Sequence, residues 1–351
     1  MEKEYSWMVC VRCFTFNHHA YIEDAMNGFC MQQTDFPFVC TIVDDASTDG
    51  EQEVIKKYLE EHFDLEDKSI VRNEETEDYT LTFARHKTNT NCYFAVLYLK
   101  YNHYSIKKTK MPYIAEWHEN CKYIALCEGD DYWIDGKKLQ MQVEFMEQHE
   151  EYVLSHTSFM MYNTKKKKFV ADKLQRNVKK YPSIVTPYDV LTTYRIATAT
   201  TLFRYNSYIE ARKRNPSLFD GHFLMGDRQL WYALSKIGKI HYLSGQTSAY
   251  RMTSNSATRQ QDPKRFYGFL LSSWELKLLI STIDAFPEVQ HAIFRKKYDN
   301  AYFMYMEFRG EYKPLYQIDK KNVDIRLKIL KKIGILKIFL KVFLIYRCHH
   351  R

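Results

Sequence analysis

Apolar residues recur at two different spacings along the first part of the chain. The run WMVCVRCFTF is almost continuously apolar, as a buried strand is, and the next segment places apolar residues at helical spacing: Ile22, Ala25, Met26, Phe29 and Cys30. The run FPFVCTIVDD predicts a second strand, and STDGEQEVIKKYLEEH predicts a helix with cap residues at its start. The repeated strand–helix unit predicts an α/β fold with a parallel sheet.

The middle of the chain follows this pattern less regularly. We predict a third strand at KSIVRN and a helix over residues 93–100, inside a segment (74–120) that we otherwise leave unassigned. The pattern returns at CKYIALCE, a predicted strand, and at KKLQMQVEFMEQH, a predicted helix with Leu139, Val143 and Met146 on one face.

The apolar runs become shorter after Tyr152. VLSHTSFMMYN, TATTLFR, KIHYL and TSAYRM read as strands and GDRQLWYALSKIG as a helix, which predicts a mixed or antiparallel continuation of the sheet. From Pro263 onward the pattern is helical. We therefore predict a main α/β domain at 1–260, a helical extension at 261–321 and a basic tail at 322–351.

The net charge indicates which partners the protein could bind, and the cysteine content indicates its cellular compartment. Lys and Arg number 51 against 43 Asp and Glu, a net charge of +8 that does not require nucleic acid but suits an anionic substrate or a membrane surface. The chain starts with MEKEYSW, which does not resemble a signal peptide, and its eight cysteines are scattered. We expect a reducing, cytoplasmic compartment, with Cys10 and Cys13 as strand thiols rather than a redox pair.

Carboxylates cluster where two predicted strands end. One strand ends at Asp44 and Asp45, and CEGDDYWIDG follows the other with Glu128, Asp130 and Asp131. Ligands of an open parallel sheet bind beyond the carboxyl ends of its strands, and carboxylates without nearby His or Cys favour Mg²⁺ or Mn²⁺. The pattern indicates a metal that completes its shell with a substrate diphosphate.

Some acids of these loops have a simpler interpretation. Asp49, or Ser47, and Asp135 stand just before predicted helices, so we favour a capping role for them. For Asp130 and Asp131, which follow a fully apolar strand and precede YW, we favour the functional interpretation over solvated loop residues.

Three separated motifs carry a resemblance to a known family. The stretch CVRCFTFNHHAYIEDAMNGFCMQQTDFPFVCTIVDDASTDG, then YIALCEGDDYWIDGKKLQMQVEFME, then GDRQLWYALSKIGKIHYLSGQTSAYRM resembles family 2 glycosyltransferases, in this order, over residues 7–252. The resemblance implies the GT-A fold, a Rossmann-like, nucleotide-sugar-binding mixed sheet flanked by helices. Residues 1–260 would then be the catalytic domain.

The resemblance also implies roles for individual residues. Asp130 and Asp131 match the DxD-type pair, with Asp131 the direct contact to Mn²⁺ or Mg²⁺ and Asp130 nearer the ribose or sugar. Asp227 matches the general base, although alone it reads equally as a helix N-cap. The positions that hold nucleobase and ribose are Phe14, Thr15, Phe16, Asn17 and Asp45.

The sequence departs from the family pattern near the end of the last motif. Relatives carry YRxH where this chain has YRMT, so Thr253 replaces a histidine that is available to the metal or diphosphate. The third protein contact to the metal therefore stays open at this stage.

The basic tail, DIRLKILKKIGILKIFLKVFLIYRCHHR, has apolar runs too short to span a bilayer. On a helical wheel Lys328, Lys331 and Lys332 group on one side before Gly334, and three later basic residues group on another side. We expect two short amphipathic helices on an anionic membrane surface. The alternative is a helix packed on the catalytic domain or on a partner subunit.

Together with these patterns, the resemblance implies a metal-dependent inverting glycosyltransferase that uses a nucleotide-diphosphate sugar. We expect a UDP-sugar, and dTDP and GDP are the alternative nucleotides. By resemblance its acceptor is a hydroxyl of a glycan or lipid-linked acceptor in surface polysaccharide (lipopolysaccharide or capsule) biosynthesis, at the inner face of the plasma membrane. The alternatives are an inactive scaffold of the same fold and a metal-dependent nucleotidyltransferase. The nucleotidyltransferase predicts a glycine-rich, lysine-bearing phosphate loop, which FTFNHHAY does not provide.

Overall fold

The computed structural model describes residues 4–170, 184–192, 196–253 and 262–287. The chain divides into two compact units. The first comprises residues 1–222 and 226–256, and the second comprises 223–225 and 257–351. The predicted basic tail, 322–351, lies outside the described residues, as does most of the predicted helical extension. No helix of the described ranges is long and apolar enough to cross a membrane.

The strands of the first unit are β1 (Trp7–Thr15), β2 (Phe38–Asp44), β3 (Phe63–Asp64), β4 (Arg72–Glu75), β5 (Tyr79–His86), β6 (Cys92–Leu99), β7 (Cys121–Leu126), β8 (Tyr132–Trp133), β9 (Tyr152–Asn163), β10 (Lys168–Val170), β11 (Thr201–Arg204) and β12 (Lys239–Met252). Its α-helices are α1 (Ile22–Cys30), α2 (Glu51–His62), α3 (Ala115–Glu119), α4 (Lys138–Gln148), α5 (Pro187–Thr192), α6 (Tyr205–Arg214) and α7 (Asp227–Ser235). In the second unit α8 (Pro263–Ile283) follows, and the main-chain N–H of Leu224 donates to Oγ of Ser272 on this helix at 2.9 Å.

One mixed sheet runs through the first unit in the order β3-β5-β6-β2-β1-β7-β11-β9-β12-β8, with β4 beside β5 and β10 beside β9. The four strands β6, β2, β1 and β7 are parallel, and the strands β5 and β11 on either side of them run antiparallel. The predicted α/β fold with a central mixed sheet flanked by helices is therefore confirmed.

Helices cover both faces of the sheet because the central strands are apolar on both. The apolar faces of α1, α2 and α4 pack with inward residues of β1 and β2, such as Val11 and Cys40, in one core. Successive strand residues point to opposite faces, so Leu202 of β11 joins this core, whereas Phe203 meets Tyr208 and Trp231 of α6 and α7. The parallel strands are thereby shielded from water, as parallel sheets require.

The predicted helix at residues 93–100 is wrong, because this segment is strand β6. The run CYFAVLYL is buried from Phe94 to Leu99 between β5 and β2. A short strand that is covered on both faces has no alternation of apolar and polar residues, so its period does not distinguish it from a buried helix. The predicted third strand at KSIVRN is also misplaced, since β4 begins only at Arg72 and pairs antiparallel with β5.

The separately predicted strands KIHYL and TSAYRM are one strand, β12. It pairs in parallel with β9 and changes register between Tyr242 and Gln246 and again before Ser248. Gly245, with φ of +141°, lies within this irregular stretch, where a side chain would strain the backbone. After this irregular stretch β12 continues to Met252, and it pairs with the short strand β8, which follows the loop after β7.

Lys138 at the start of α4 is fully buried. Its Nζ donates to Oε1 of Gln142 at 2.6 Å and lies 4.4 Å from the centre of the Trp133 ring. Gln142 in turn donates to the carbonyl oxygen of Thr200 at 3.1 Å, which ties the helix to the segment before β11. Burial lowers the pKa of Lys138 to about 7.

This depressed pKa predicts a pH dependence of stability. Between about pH 7 and about pH 10 the unfolded chain binds a proton at this lysine that the folded chain has released, so stability rises with pH. We expect the free energy of unfolding of the wild type, relative to Lys138→Met, to rise by up to about 1.4 kcal/mol per pH unit in this window. Chemical denaturation at several pH values measures it. Lys137→Met, at the exposed neighbouring lysine, is the control, and parallel profiles of wild type and Lys138→Met would contradict the expectation.

Candidate active site

Three loops meet at the carboxyl edge of the parallel strands. The loop after β1 begins at Phe16, the loop after β2 at Asp45, and the loop after β7 at Cys127. The main-chain N–H of Gly129 donates to the carbonyl oxygen of Phe14 at 3.2 Å, and that of Asp45 donates to the carbonyl oxygen of Thr15 at 3.0 Å. The structure thus brings the residues predicted from β1, β2 and β7 to one edge.

Glu51, a buried residue at the start of α2, joins two of these loops. One carboxylate oxygen accepts a hydrogen bond from the hydroxyl of Thr15. The other accepts from the main-chain N–H of His18 and from the hydroxyl of Ser47, both at 2.8 Å. Burial raises the pKa of Glu51, and these bonds oppose that rise. Its carboxylate therefore acts as an internal anchor.

The third loop packs closely on the first through a glycine. A Cβ placed on Gly129 would lie 2.1 Å from Oγ1 of Thr15 and 3.1 Å from Nδ1 of His18. Only glycine permits this approach without movement of Thr15. Thr15 is itself buried and bonded to Glu51, so the structure places its side chain beneath the site rather than at its surface.

Phe14, Phe16 and Asn17 line the outer part of the edge. Phe14 is partly exposed. Nζ of Lys110 lies 5.2 Å from the centre of its ring, and the guanidinium carbon of Arg12 lies 5.5 Å from it. Phe16 is exposed. Asn17 takes a φ of +55° and accepts the main-chain N–H of Thr48 at 2.8 Å. The edge thus offers two aromatic rings and two cations.

The carboxylate of Asp45 is buried and fully occupied by another part of the chain. It accepts the main-chain N–H groups of His103 and Tyr104, at 2.7 Å and 3.1 Å, and Nζ of Lys110 at 2.8 Å. The three donors lie in the connection after β6, which this aspartate holds against the carboxyl edge. In this arrangement its oxygens are turned to the protein.

The acidic loop, residues 128–131, concentrates negative charge at the same edge. Asp131 is buried, and burial followed by the charge of Asp130 raises its pKa well above the usual range. Burial and Asp130 also raise the pKa of Glu128, to about 7. Both shifts have the same two causes: burial removes water from the ionised carboxylates, and neighbouring carboxylates repel each other's charge.

Arg251 of β12 ties the acidic loop to two other elements. Its main-chain N–H donates to Oδ1 of Asp131 at 2.8 Å, and its Nη1 donates to the carbonyl oxygen of Asp130 at 3.0 Å. Its Nη2 pairs with the carboxylate of Asp24 on α1. The guanidinium group compensates part of the negative charge, and it lowers the pKa of Asp131 against the larger effect of burial.

Asp227 is exposed at the first position of α7. The N-cap is Gly226, and Oδ1 of Asp227 accepts the N–H of Arg228 at 2.7 Å. Asp227 is also one of the charges that raise the pKa of Glu128, so it lies on the same side of the molecule as the acidic loop. The interpretation of Asp227 as the N-cap is therefore wrong, because the preceding residue is the cap. The carboxylate of Asp227 stays accessible.

A divalent cation fits this loop only as a site that a substrate completes. No group of three or more His, Cys, Asp or Glu side chains within the described part of the chain is arranged to hold a metal. Oδ2 of Asp131 accepts no hydrogen bond from the described residues, and a bound cation would stabilise the ionised form of the crowded carboxylates. Such a set suits Mg²⁺ or Mn²⁺, which bind through one or two carboxylates plus phosphate and water. Thr253, which replaces the histidine of the family pattern, is buried directly after the end of β12.

Glu51, Lys110 and Arg251 are not among the site residues predicted from the sequence. Glu51 stands in the first turn of a helix, where acids are common, so the sequence offers no separate signal. Lys110 lies in the segment 74–120, which has no clear sequence pattern. Arg251 carries a signal that was available, because a charged residue inside the apolar strand TSAYRM needs a buried partner.

No protein-family model matches the chain. Among curated proteins, uncharacterized protein Rv1520 of Mycobacterium tuberculosis and uncharacterized protein Mb1547 of Mycobacterium bovis are each 32% identical over 137 residues, 39% of this chain. The match covers 31% of these relatives, so the chain spans about a third of their length.

Two solved structures show similarity at low sequence identity. Staphylococcus aureus TarS 1-349 in complex with UDP has 17% identity and a TM-score of 0.44, and the match covers 77% of this chain and 65% of TarS 1-349. The mannosyltransferase PcManGT from Pyrobaculum calidifontis, in complex with GDP-Man and Mn²⁺, has 12% identity and a TM-score of 0.47, with coverage of 91% and 87%.

Proposed function

We propose that the chain is a family 2 glycosyltransferase of the GT-A type, which transfers a sugar from a nucleotide-diphosphate donor to an acceptor hydroxyl with inversion. The observation that carries the proposal is the acidic loop. Asp130 and Asp131 follow a central parallel strand at its carboxyl edge, and accessible Asp227 lies on the same side, close enough to raise the pKa of Glu128. Ligands of such sheets bind at this edge.

The donor is proposed to lie across the ends of β1, β2 and β7. Phe14, Phe16 and Asn17 border the position of the nucleobase and ribose. Asp45 contributes by holding the connection that brings Lys110 beside Phe14. UDP is the nucleotide that we propose, and dTDP and GDP are the alternatives.

Asp131, with Asp130 beside it, would hold a Mn²⁺ or Mg²⁺ ion together with the donor diphosphate. When bound, the cation neutralises the negative charge that develops on the departing diphosphate. The chain's own part is to fix the two carboxylates. The main-chain N–H of Arg251 holds Asp131 through Oδ1, and Oδ2 stays free of hydrogen bonds from the described residues.

Asp227 is proposed as the general base. In-line displacement at the anomeric carbon requires one group that takes the proton of the acceptor hydroxyl as it attacks. Inversion is a single displacement through an oxocarbenium-like transition state, so no covalent nucleophile is needed. An exposed carboxylate on the side of the acidic loop can meet an incoming acceptor, which we propose to be a glycan or a lipid-linked acceptor in surface polysaccharide biosynthesis.

Donor hydrolysis tests this assignment. We expect the purified protein to hydrolyse at least one of a set of UDP-, dTDP- and GDP-sugars in Mn²⁺. Asp227→Asn should bind that donor normally and lose about 10²- to 10⁴-fold in turnover, since the base is removed. Asp220→Asn, at an exposed aspartate seven residues upstream, is the control. Near-normal turnover of Asp227→Asn would reject Asp227 as the base. If the wild type neither binds nor hydrolyses any of these donors, the inactive scaffold is favoured.

Calorimetry of nucleotide binding tests the role of Asp131. Asn keeps an oxygen for the N–H of Arg251 but has no charge, so Asp131→Asn should preserve the loop and weaken UDP binding in Mn²⁺ by about tenfold or more. Binding in EDTA should be the same as that of the wild type. Asp135→Asn, four residues further on, is the control. Equal Mn²⁺-assisted affinity in both variants would remove the metal role.

We propose that the basic tail holds the enzyme at an anionic membrane, on the cytoplasmic side. The support is its sequence, in which lysines interrupt short apolar runs. Deletion after Asn322 should abolish co-sedimentation with liposomes that contain phosphatidylglycerol. The full chain with phosphatidylcholine liposomes is the control, and sedimentation of the truncated chain with anionic liposomes would assign the contact to another surface.

A further inference from the structure

Arg251 is a buried cation, with only 4% of its surface exposed, near the end of β12. A buried guanidinium group is retained only where charged or polar partners satisfy it. Two of the three partners of Arg251 belong to the acidic loop. The three are the carbonyl oxygen of Asp130, the carboxylate of Asp24 and, through its main chain, the carboxylate of Asp131.

Two aromatic rings lie close to the same guanidinium group. Its central carbon lies 4.3 Å from the centre of the Tyr132 ring and 5.0 Å from that of the Tyr21 ring. Tyr132 directly follows the acidic loop, and Tyr21 directly precedes α1. The side chain therefore joins β12, the acidic loop and the start of α1 at a single point.

We propose that Arg251 is a positioning residue that holds the Asp130–Asp131 pair in its donor-binding arrangement. Its side chain holds the main chain of Asp130 through Nη1, and its main-chain N–H holds the carboxylate of Asp131. Its own guanidinium nitrogens are directed to Asp130 and Asp24, so it acts through the loop. This inference rests on the proposed function for its consequence in donor binding, and on the contacts alone for the order of the loop.

The chemistry of the contacts requires arginine. A planar guanidinium group can lie against two rings while its separate nitrogens reach a carbonyl and a carboxylate. The compact ammonium group of lysine cannot make these contacts together. Arg251→Lys keeps the charge and the long apolar stem, so it removes the geometry while it disturbs the core least.

Hydrogen exchange measured by mass spectrometry tests the positioning without any ligand. Exchange in a peptide that covers residues 127–133 should be at least about tenfold faster in Arg251→Lys than in the wild type, because the N–H groups of this loop lose their restraint. Arg204→Lys is the matched control. Arg204 also stacks on a tyrosine, Tyr123, and donates to main-chain carbonyls, but those of Tyr152 and His149. Unchanged exchange in Arg251→Lys would overturn the proposal.

A second variant leaves the arginine in place. Asp24 is exposed over 56% of its side chain, so Asp24→Asn is not expected to endanger folding. It should accelerate exchange in the same peptide to a smaller degree, whereas Glu23→Gln on the same helix should have no effect. Equal exchange in Asp24→Asn and Glu23→Gln would contradict the link to α1.

Nucleotide affinity then separates this inference from the proposed function. In Mn²⁺, Arg251→Lys should bind UDP about tenfold more weakly than the wild type, with equal affinity in EDTA, whereas Arg204→Lys should lower only the melting temperature. If the exchange is faster but the affinity is unchanged, the donor-binding part is overturned. If the wild type binds none of the nucleotides, the proposed function fails, and the donor-binding part fails with it.

Discussion

The burial of carboxylates at one edge of the sheet is the constraint on which the site depends. Asp44, Asp45, Glu51 and Asp131 are all at most 5% exposed. A buried carboxylate is tolerated only when hydrogen bonds or cations compensate for the lost water. For Asp45, Glu51 and Asp131 the compensating groups come from other loops, so these three side chains connect segments that are far apart in sequence. The negative charge thus organises the loops that carry it.

These carboxylates divide into two groups according to their partners. Asp44 accepts from Ser47 and Gln52 in its own loop and helix, and Asp45 and Glu51 are enclosed by other main-chain and side-chain donors. Their oxygens belong to the architecture. Asp131 differs because one of its oxygens accepts no hydrogen bond from the described residues. Within the same residues, exposed Asp227 accepts a hydrogen bond only from the N–H of its neighbour. This difference supports the proposal that the chemistry at this edge belongs to the second group.

The sequence was sufficient where local periodicity has a single solution. The helix faces with Phe29 and with Met146 are buried as predicted, and the strands before Asp45 and Glu128 have the predicted parallel pairing. It was insufficient at β6, where a continuously apolar strand resembles a buried helix. It also could not show that Asp45 is occupied, because its donors lie some sixty residues later, in a connection without a recognisable pattern.

The sequence by itself determined the alternation of strands and helices and the position of the acidic loop, because both follow from residues that are neighbours along the chain. Only the tertiary structure decided which of the predicted residues have free oxygens or exposed rings, and it alone placed Arg251 against the acidic loop. The physical reason is that a buried charge forms hydrogen bonds with the groups that are close to it in space, whatever their position in the sequence. The donors can lie far away in the sequence: Arg251 and Asp131 are separated by more than a hundred positions.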